Sequence, residues 1–311
     1  MCGIVGYIGE KDCVSILLEG LKRLEYRGYD SSGISIINKG DIVTYKKEGR
    51  IVNLEKFVPK NLPGFMGIAH TRWATHGGVT DQNAHPHVSA NGKFSIVHNG
   101  IIENYSHLKS KLVKEGYEFK SDTDSEVIAH LIEKNYTGDF EQAFYNTLQL
   151  LEGTYGIVAL SAENPDVLMA ARKGSPLVIG VGNEEMFIAS DVSAFLGYTK
   201  QAVYLDDYEI AILTKDQFIT KDFRLEEKDK KINIIDWDAD SLDMGGFPHY
   251  MLKEIFEQPE SIKRGFAGRI VPNIGTTKLG GLNLTPQELF NMEKVNIIAC
   301  GTSYHAGLVG S

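Results

Sequence analysis

The order in which hydrophobic periodicities succeed one another restricts this chain more than any other feature: strands come first, helices next, then strands again. Residues 4–8 form a short apolar run at the amino terminus. Val14, Leu17, Leu18, Leu21 and Leu24 then fall on one face of a helix. Strand-like runs follow at 34–37, 42–45, 67–71 and 94–97. Two amphipathic helices come next, one over 108–113 and a longer one through Val127, Ile128, Leu131 and Ile132. The second is opened by Ser121-Asp122-Thr123-Asp124, a cluster of good N-cap residues. After a third helix near 140–151 the pattern returns to strands at 155–160, 167–171, 177–181, 186–189 and 210–213. A block of helices between two blocks of strands suits a layered α+β domain better than a βαβ repeat.

A length of 311 residues suggests two domains. The 32 basic and 41 acidic residues give a net charge of −9, spread without a basic cluster, which argues against a nucleic-acid surface. No apolar run approaches the roughly 18 residues of a membrane span. The amino terminus lacks the basic flank and apolar core of a signal peptide, so a cytoplasmic protein is expected. Cys2, Cys13 and Cys300 are too few and too scattered for a disulfide framework. Around 222–243 the composition turns charged and polar, marking a boundary or linker. A helix restarts at 249–256, with Pro259 expected to bend or end its first part. Near the end, an apolar strand at 295–299 runs into Cys300-Gly301-Thr302-Ser303, the opening pattern of a parallel α/β domain that binds a phosphate.

Cys2 is the most informative single residue. Removal of Met1 would leave it with a free α-amine, whose ordinary pKa of about 7.7–8 suits a general base at neutral pH. One residue then supplies both nucleophile and base. The segment Met1-Cys2-Gly3-Ile4-Val5-Gly6 sets that thiol at the head of an apolar strand. Here the chain resembles the class II glutamine amidotransferases, a branch of the N-terminal nucleophile hydrolases. The resemblance implies a four-layer αββα sandwich.

A narrower likeness spans essentially all 311 residues. Leu24-Glu25-Tyr26-Arg27-Gly28-Tyr29-Asp30-Ser31, His70-Thr71-Arg72-Trp73-Ala74-Thr75-His76-Gly77 and Asn83-Ala84-His85-Pro86-His87 are similar to the glucosamine-6-phosphate synthase family. So are His98-Asn99-Gly100-Ile101-Ile102-Glu103-Asn104, His249-Tyr250-Met251-Leu252-Lys253-Glu254-Ile255 and Cys300-Gly301-Thr302-Ser303-Tyr304. That family is also called glutamine–fructose-6-phosphate aminotransferase (isomerizing). The likeness implies L-glutamine as substrate, no cofactor, and homo-oligomers for the full-length members.

Amide hydrolysis needs a nucleophile, a proton shuttle, an oxyanion hole and grips for the substrate's charged end. Asn99-Gly100 offers a side-chain amide beside a glycine N–H, two donors for an oxyanion. The same pair also reads as a hairpin turn. Arg72 suits an α-carboxylate through bidentate bonding, or a structural ion pair. Asp124 suits an α-ammonium, or serves as a helix N-cap, a role Thr123 can also fill. The resemblance assigns Arg72 and Asp124 to glutamine, with Thr75 and His76 on the same binding loop. It also assigns Trp73 to gating of ammonia and Arg27-Gly28 to positioning of the α-amine. His70, His76, His85 and His87 invite a metal, but no cysteine or acidic residue lies at a zinc-like spacing and none is expected.

The Cys300 block resembles the first sugar-phosphate loop of a sugar isomerase (SIS) domain, with Thr302 and Ser303 near the phosphosugar. The implied division is a glutaminase domain at 2–222, a linker with a helical segment at 223–290, and the start of the SIS domain at 291–311. Fructose 6-phosphate would be handled only with the rest of that domain present. Two other readings stay open: another class II amidotransferase, and a non-catalytic glutamine-binding fragment.

Overall fold

Strand β1 (Gly3–Gly9) is followed by helix α1 (Cys13–Leu24), whose first turn is capped by Asp12 accepting from the N–H groups of Val14 and Ser15. Next come β2 (Ser31–Asn38), β3 (Asp41–Glu48), α2 (Ile51–Phe57), β4 (Met66–Arg72), β5 (His87–Val88) and β6 (Phe94–Ile102). Helices α3 (Tyr105–Lys114), α4 (Glu126–Asn135) and α5 (Phe140–Leu148) form the central helical block. The chain then returns through β7 (Gly153–Ser161), β8 (Leu168–Lys173), β9 (Val178–Val181) and β10 (Glu185–Ala189). It ends this part with β11 (Gln201–Tyr204), β12 (Glu209–Leu213), β13 (Phe218–Asp222) and β14 (Asn233–Ile234). The computed structural model describes residues 2–59, 62–74, 77–236, 246–266, 270–271, 276–277, 285–299 and 301–310.

These elements make one compact unit, Met1–Asp243. An eight-stranded sheet has the order β14-β11-β9-β10-β1-β4-β2-β3, and a six-stranded sheet the order β13-β12-β8-β7-β6-β5. Three apolar layers follow from the two-residue period of the strands. Ile4, Ile8, Met66, Ile68, Val97, Val158 and Ile188 fill the space between the sheets. Val5, Tyr7, Ala69 and Phe187, from the opposite faces of the first sheet's strands, pack with Leu17, Leu21 and Leu54 of α1 and α2. Ile96, Ile157 and Met169, on the outer face of the second sheet, meet Leu108, Ile128 and Phe144 of the other three helices. The result is a four-layer αββα sandwich.

The structure departs in three places from readings the sequence leaves open. The boundary at 222 is overrun, because β14 pairs with β11 and Ile235 is buried in the α1–α2 core. Asn99 and Gly100 do not follow a strand and do not turn. They lie inside β6, opposite Gly156 and Tyr155 of β7. The N-cap position of α4 is Ser125, and Asp124 does not cap; its Oδ2 accepts from the Ile102 N–H, 2.8 Å away in β6.

A second unit spans Met244–Ser311. Helix α6 (Tyr250–Phe266) continues past Pro259, which neither ends it nor marks its first part. A two-residue hairpin, β15 (Ile270–Val271) and β16 (Thr276–Thr277), precedes α7 (Pro286–Phe290), which starts with a Thr285–Glu288 capping box. Residues 295–299 are not a strand: among the described residues no partner supplies ladder hydrogen bonds, and Ile298 is fully exposed. Thr302 and Ser303 lie in the first turn of α8 (Gly301–Gly310) and not in a loop, while Cys300 lies outside the described residues. No helix among the described residues is long and apolar enough to cross a membrane.

The β6–β7 register makes a quantitative demand at Gly100. Its φ is +129°, and a Cβ there would stand 2.1 Å from the Thr154 carbonyl oxygen. Gly100→Ala should therefore cost at least about 2 kcal/mol of stability, through backbone strain and a clash that only parting of the strands relieves. An unchanged denaturant midpoint would refute that register.

Candidate active site

The apolar layer between the sheets turns polar at one end. Along β4 the inward row Met66, Ile68 continues to His70 and Arg72. Along β6 it passes from Val97 to Asn99, along β7 from Val158 to Thr154, and along β10 from Ile188 to Ser190. Cys2 has the parity of Ile4 and Ile8 and stands just before β1. These side chains open onto a cavity of about 290 Å³ whose wall also includes Arg27, Trp73 and Asp124. Polar residues at that end are tolerated because water reaches it, whereas deeper positions must be apolar.

Cys2 is half-buried, and its Sγ accepts from the Trp73 N–H at 3.1 Å. Burial pushes the thiol above its ordinary value of 9.0, against the opposing pull of that N–H and of the Arg72 charge. Asn99 Nδ2 donates to the Cys2 carbonyl oxygen at 3.1 Å, bringing the carboxamide against the nucleophile's own backbone. Gly28 permits a second close approach, since a Cβ there would lie 2.8 Å from the Arg72 carbonyl carbon. Arg27 is ion-paired with Asp191 at the cavity wall.

Arg72 is almost fully buried, and its guanidinium donates to the carbonyl oxygens of Gly78 at 3.0 Å and Gly77 at 3.4 Å. Asp124 is held by the Ile102 N–H and by the Ser125 hydroxyl, 3.3 Å from Oδ1. The loop carrying it is fixed by Glu126, which accepts from the N–H groups of Lys120 at 2.8 Å and Ser121 at 2.7 Å. Burial works against that charge, but these donors and His130 outweigh it and hold the carboxyl at about 2. Trp73 is half-exposed and meets Tyr29 edge-on, ring centroids 5.8 Å apart. The structure thus brings Cys2, Arg27, Arg72, Trp73, Asn99, Gly100 and Asp124 to one cavity. Thr75 and His76 lie outside the described residues.

Sequence reasoning passed over the wall residues Thr154, Ser175, Pro176 and Ser190, and it weighed His70 and His85, which also line the cavity, only as metal ligands. The usable signal was parity: Thr154 and Ser190 continue alternating inward rows past their last apolar member. His70, His85, His87 and His98 are all buried. The His70 and His85 rings stack at 4.2 Å and His85 meets His87 at 4.4 Å. Each has a protein partner: His85 Nδ1 accepts from the His98 N–H, and His87 Nε2 lies 3.1 Å from Thr123 Oγ1. His98 Nδ1 lies 2.8 Å from Ser125 Oγ. Among the described residues no group of three or more His, Cys, Asp or Glu is placed to hold a metal ion.

A half-buried thiol, a carboxamide donor beside it, and a buried cation and carboxylate across one cavity describe a site for amide cleavage in a zwitterionic substrate. Residues 70–197 match the family model described as a glutamine amidotransferase domain. Among solved structures, a glutamine phosphoribosylpyrophosphate amidotransferase from B. subtilis, complexed with ADP and GMP, is similar with a TM-score of 0.63 and 25% identity. That likeness covers 71% of this chain and 49% of the other. Over residues 70–197 the chain is therefore similar to glutamine amidotransferase domains, and it shares its fold with that solved amidotransferase.

Its sequence relatives are more specific. It is 50% identical over 311 residues to the glutamine–fructose-6-phosphate aminotransferase (isomerizing) of Caldanaerobacter subterraneus subsp. tengcongensis, covering all of this chain and 51% of the relative. The enzyme of the same name from Pyrococcus horikoshii is 50% identical over 314 residues, again covering all of this chain and 51% of the relative. The chain is similar to these aminotransferases along all of its own residues and spans about half the length of either relative.

Two predictions follow from the buried polar groups. Burial holds the pKa of His70 at about 3 and those of His85, His87 and His98 below the ordinary 6.5. Unfolded, these rings take up protons below about pH 6.5, while the folded rings stay neutral. Stability is therefore fully present above that pH and falls as pH drops through 6 and 5, unfolding taking up as many as about four protons from this group. Denaturant midpoints measured from pH 8 to pH 5 test this, and a flat profile would contradict the neutral assignment. Glu126→Ala strands two backbone donors and should cost roughly 1–3 kcal/mol. Thermal unfolding together with glutamine affinity would register both the loss and the loosening of Asp124.

Proposed function

We propose that this chain is the glutaminase half of a glutamine–fructose-6-phosphate aminotransferase. The observation that carries the reading is the convergence of Cys2, Asn99, Arg72 and Asp124 on one cavity. Arg72 takes the α-carboxylate of L-glutamine and Asp124 its α-ammonium, which directs the side-chain amide to Cys2. With Met1 removed, the Cys2 α-amine accepts the thiol proton as Sγ bonds to the amide carbon. The Asn99 amide and the Gly100 N–H stabilise the resulting oxyanion. The amine returns the proton to the leaving nitrogen, ammonia departs, and a γ-glutamyl thioester remains. Water cleaves that thioester to glutamate and restores the thiol.

In this reading Thr75 and His76 complete the glutamine loop, Arg27-Gly28 holds the α-amine region and Trp73 gates the exit of ammonia. The glutaminase domain is the first compact unit, and the segment after it leads to a sugar isomerase domain that Thr302 and Ser303 begin. The longer protein would transfer the ammonia to fructose 6-phosphate, giving glucosamine 6-phosphate, as a homo-oligomer in the cytoplasm, where thiols stay reduced. The 50% identity along the whole chain supports this acceptor over phosphoribosylpyrophosphate, whose enzyme is 25% identical.

The test is release of glutamate and ammonia from glutamine by the purified chain. Cys2→Ala should abolish release, by 10³-fold or more, while glutamine still binds. A residue fused ahead of Cys2 should inactivate it too, because the amine becomes a peptide nitrogen. A Cys2→Ala protein working at the unaltered rate sinks the nucleophile assignment, and a fully active fusion sinks the amine as base.

A further inference from the structure

Asn99 is useful to an oxyanion only if its NH₂ faces the nucleophile, and a carboxamide has two nearly isosteric orientations. The structure contains the means of choosing between them. His70 Nε2 lies 3.1 Å from the His98 carbonyl oxygen and 2.9 Å from Asn99 Oδ1. A backbone carbonyl only accepts, so Nε2 carries the ring proton. The Asn99 atom facing that proton must then be its oxygen. At the other end of the same amide, Nδ2 lies 3.1 Å from the Cys2 carbonyl oxygen, again an atom that only accepts. The two carbonyls fix a single direction for the whole row.

We propose that His70 is a positioning residue: its Nε2–H locks the Asn99 carboxamide with Nδ2 towards Cys2. The inference rests on the reading of Cys2 as nucleophile and Asn99 as oxyanion donor. Of the two Nδ2 hydrogens, one is engaged by the Cys2 carbonyl, and the second serves the cavity that Asn99 lines.

The rest of the pocket around His70 enforces this tautomer. Its side chain is fully buried, its ring is stacked on His85, and its Nδ1 has no hydrogen-bond partner among the described residues. The opposite tautomer would bury an N–H at Nδ1 with no acceptor and aim the Nε2 lone pair at two oxygens. His85 is itself tied to this row, its Nδ1 accepting from the His98 N–H one residue before Asn99. His70 comes from β4 and Asn99 from β6, so the lock spans the two sheets. A flipped amide would present Oδ1 to the oxyanion, converting attraction into repulsion.

The experiment compares wild type with His70→Met, which keeps bulk and removes the donor, and His70→Gln, whose amide nitrogen falls near the position of Nε2. Glutaminase kcat should fall roughly 10–100-fold in His70→Met, with KM for glutamine within about threefold, and recover to within about fivefold in His70→Gln. His70→Met added to Asn99→Ala should cause no further loss. Alkylation of Cys2 by iodoacetamide, which forms no oxyanion, should keep its wild-type rate in His70→Met. A wild-type kcat in His70→Met, additive losses in the double variant, or slowed alkylation each overturns the proposal.

Should His70→Met fail to fold, ¹⁵N spectra of histidine-labelled wild type decide the matter. A protonated Nε2 and a bare Nδ1 on His70 are expected, and the reverse tautomer refutes the lock. If wild type releases no ammonia from glutamine, the glutaminase reading fails, while the ring spectra still test the orientation of Asn99.

Discussion

Everything at the site depends on where β1 sits. It pairs with β4 on one side and β10 on the other, in the interior of the eight-stranded sheet. A terminal segment is ordinarily free to fray. Here both edges of the strand are hydrogen-bonded, and Ile4 and Ile8 are buried between the sheets. The residue just ahead of the strand inherits that rigidity. The side-chain period of two decides which way it faces, since Cys2 shares the parity of Ile4. A one-residue slip would put Cys2 on the α1 side, with Val5 and Tyr7 turned into the inter-sheet layer.

The same period explains why a polar site can exist at the edge of an apolar layer. Each inward row ends in a polar side chain: Arg72 after His70 and Ile68, Asn99 after Val97, Thr154 after Val158 and Gly156. Such groups are destabilising when buried without partners, so the surroundings must supply them. They do so largely with backbone: Gly77 and Gly78 carbonyls for Arg72, the Ile102 N–H for Asp124, the Cys2 carbonyl for Asn99. Backbone partners cannot change rotamer, so the site is held to the positional accuracy of the sheets.

Most of the architecture was legible in the sequence because its strands and helices are strongly periodic and long. The short elements were not. The segment Ile51–Phe57 forms α2 although it begins with β-branched residues, because Ile51 and Leu54 fit the core beside α1. β11 has four residues, too few to establish an alternation. Asn99-Gly100 carries the local signature of a hairpin, yet β7 pairs across it, and tertiary pairing outweighs a two-residue preference. The reverse error occurred at 295–299, where an apolar run has no partner among the described residues. Cys2, Arg72, Asn99 and Asp124 were visible as reactive or charged types in motifs. His70 was visible only as a suspected metal ligand, since its role depends on which atom of another sheet it faces.

The buried histidines also bear on how the site treats charge. A protonated ring beneath Asn99 would add electrostatic pull on an oxyanion, but it would need an acceptor at His70 Nδ1, and none is present among the described residues. The fold instead keeps that ring neutral at about pKa 3 and uses its fixed N–H dipole. Burial likewise disfavours the thiolate form of Cys2, against the pull of the Trp73 N–H. In the proposed reaction, charge develops near Asn99 as the amide carbon is attacked. Dipoles already aimed at that point require no reorganisation when it appears, and in a partly desolvated cavity they act more strongly than they would in water.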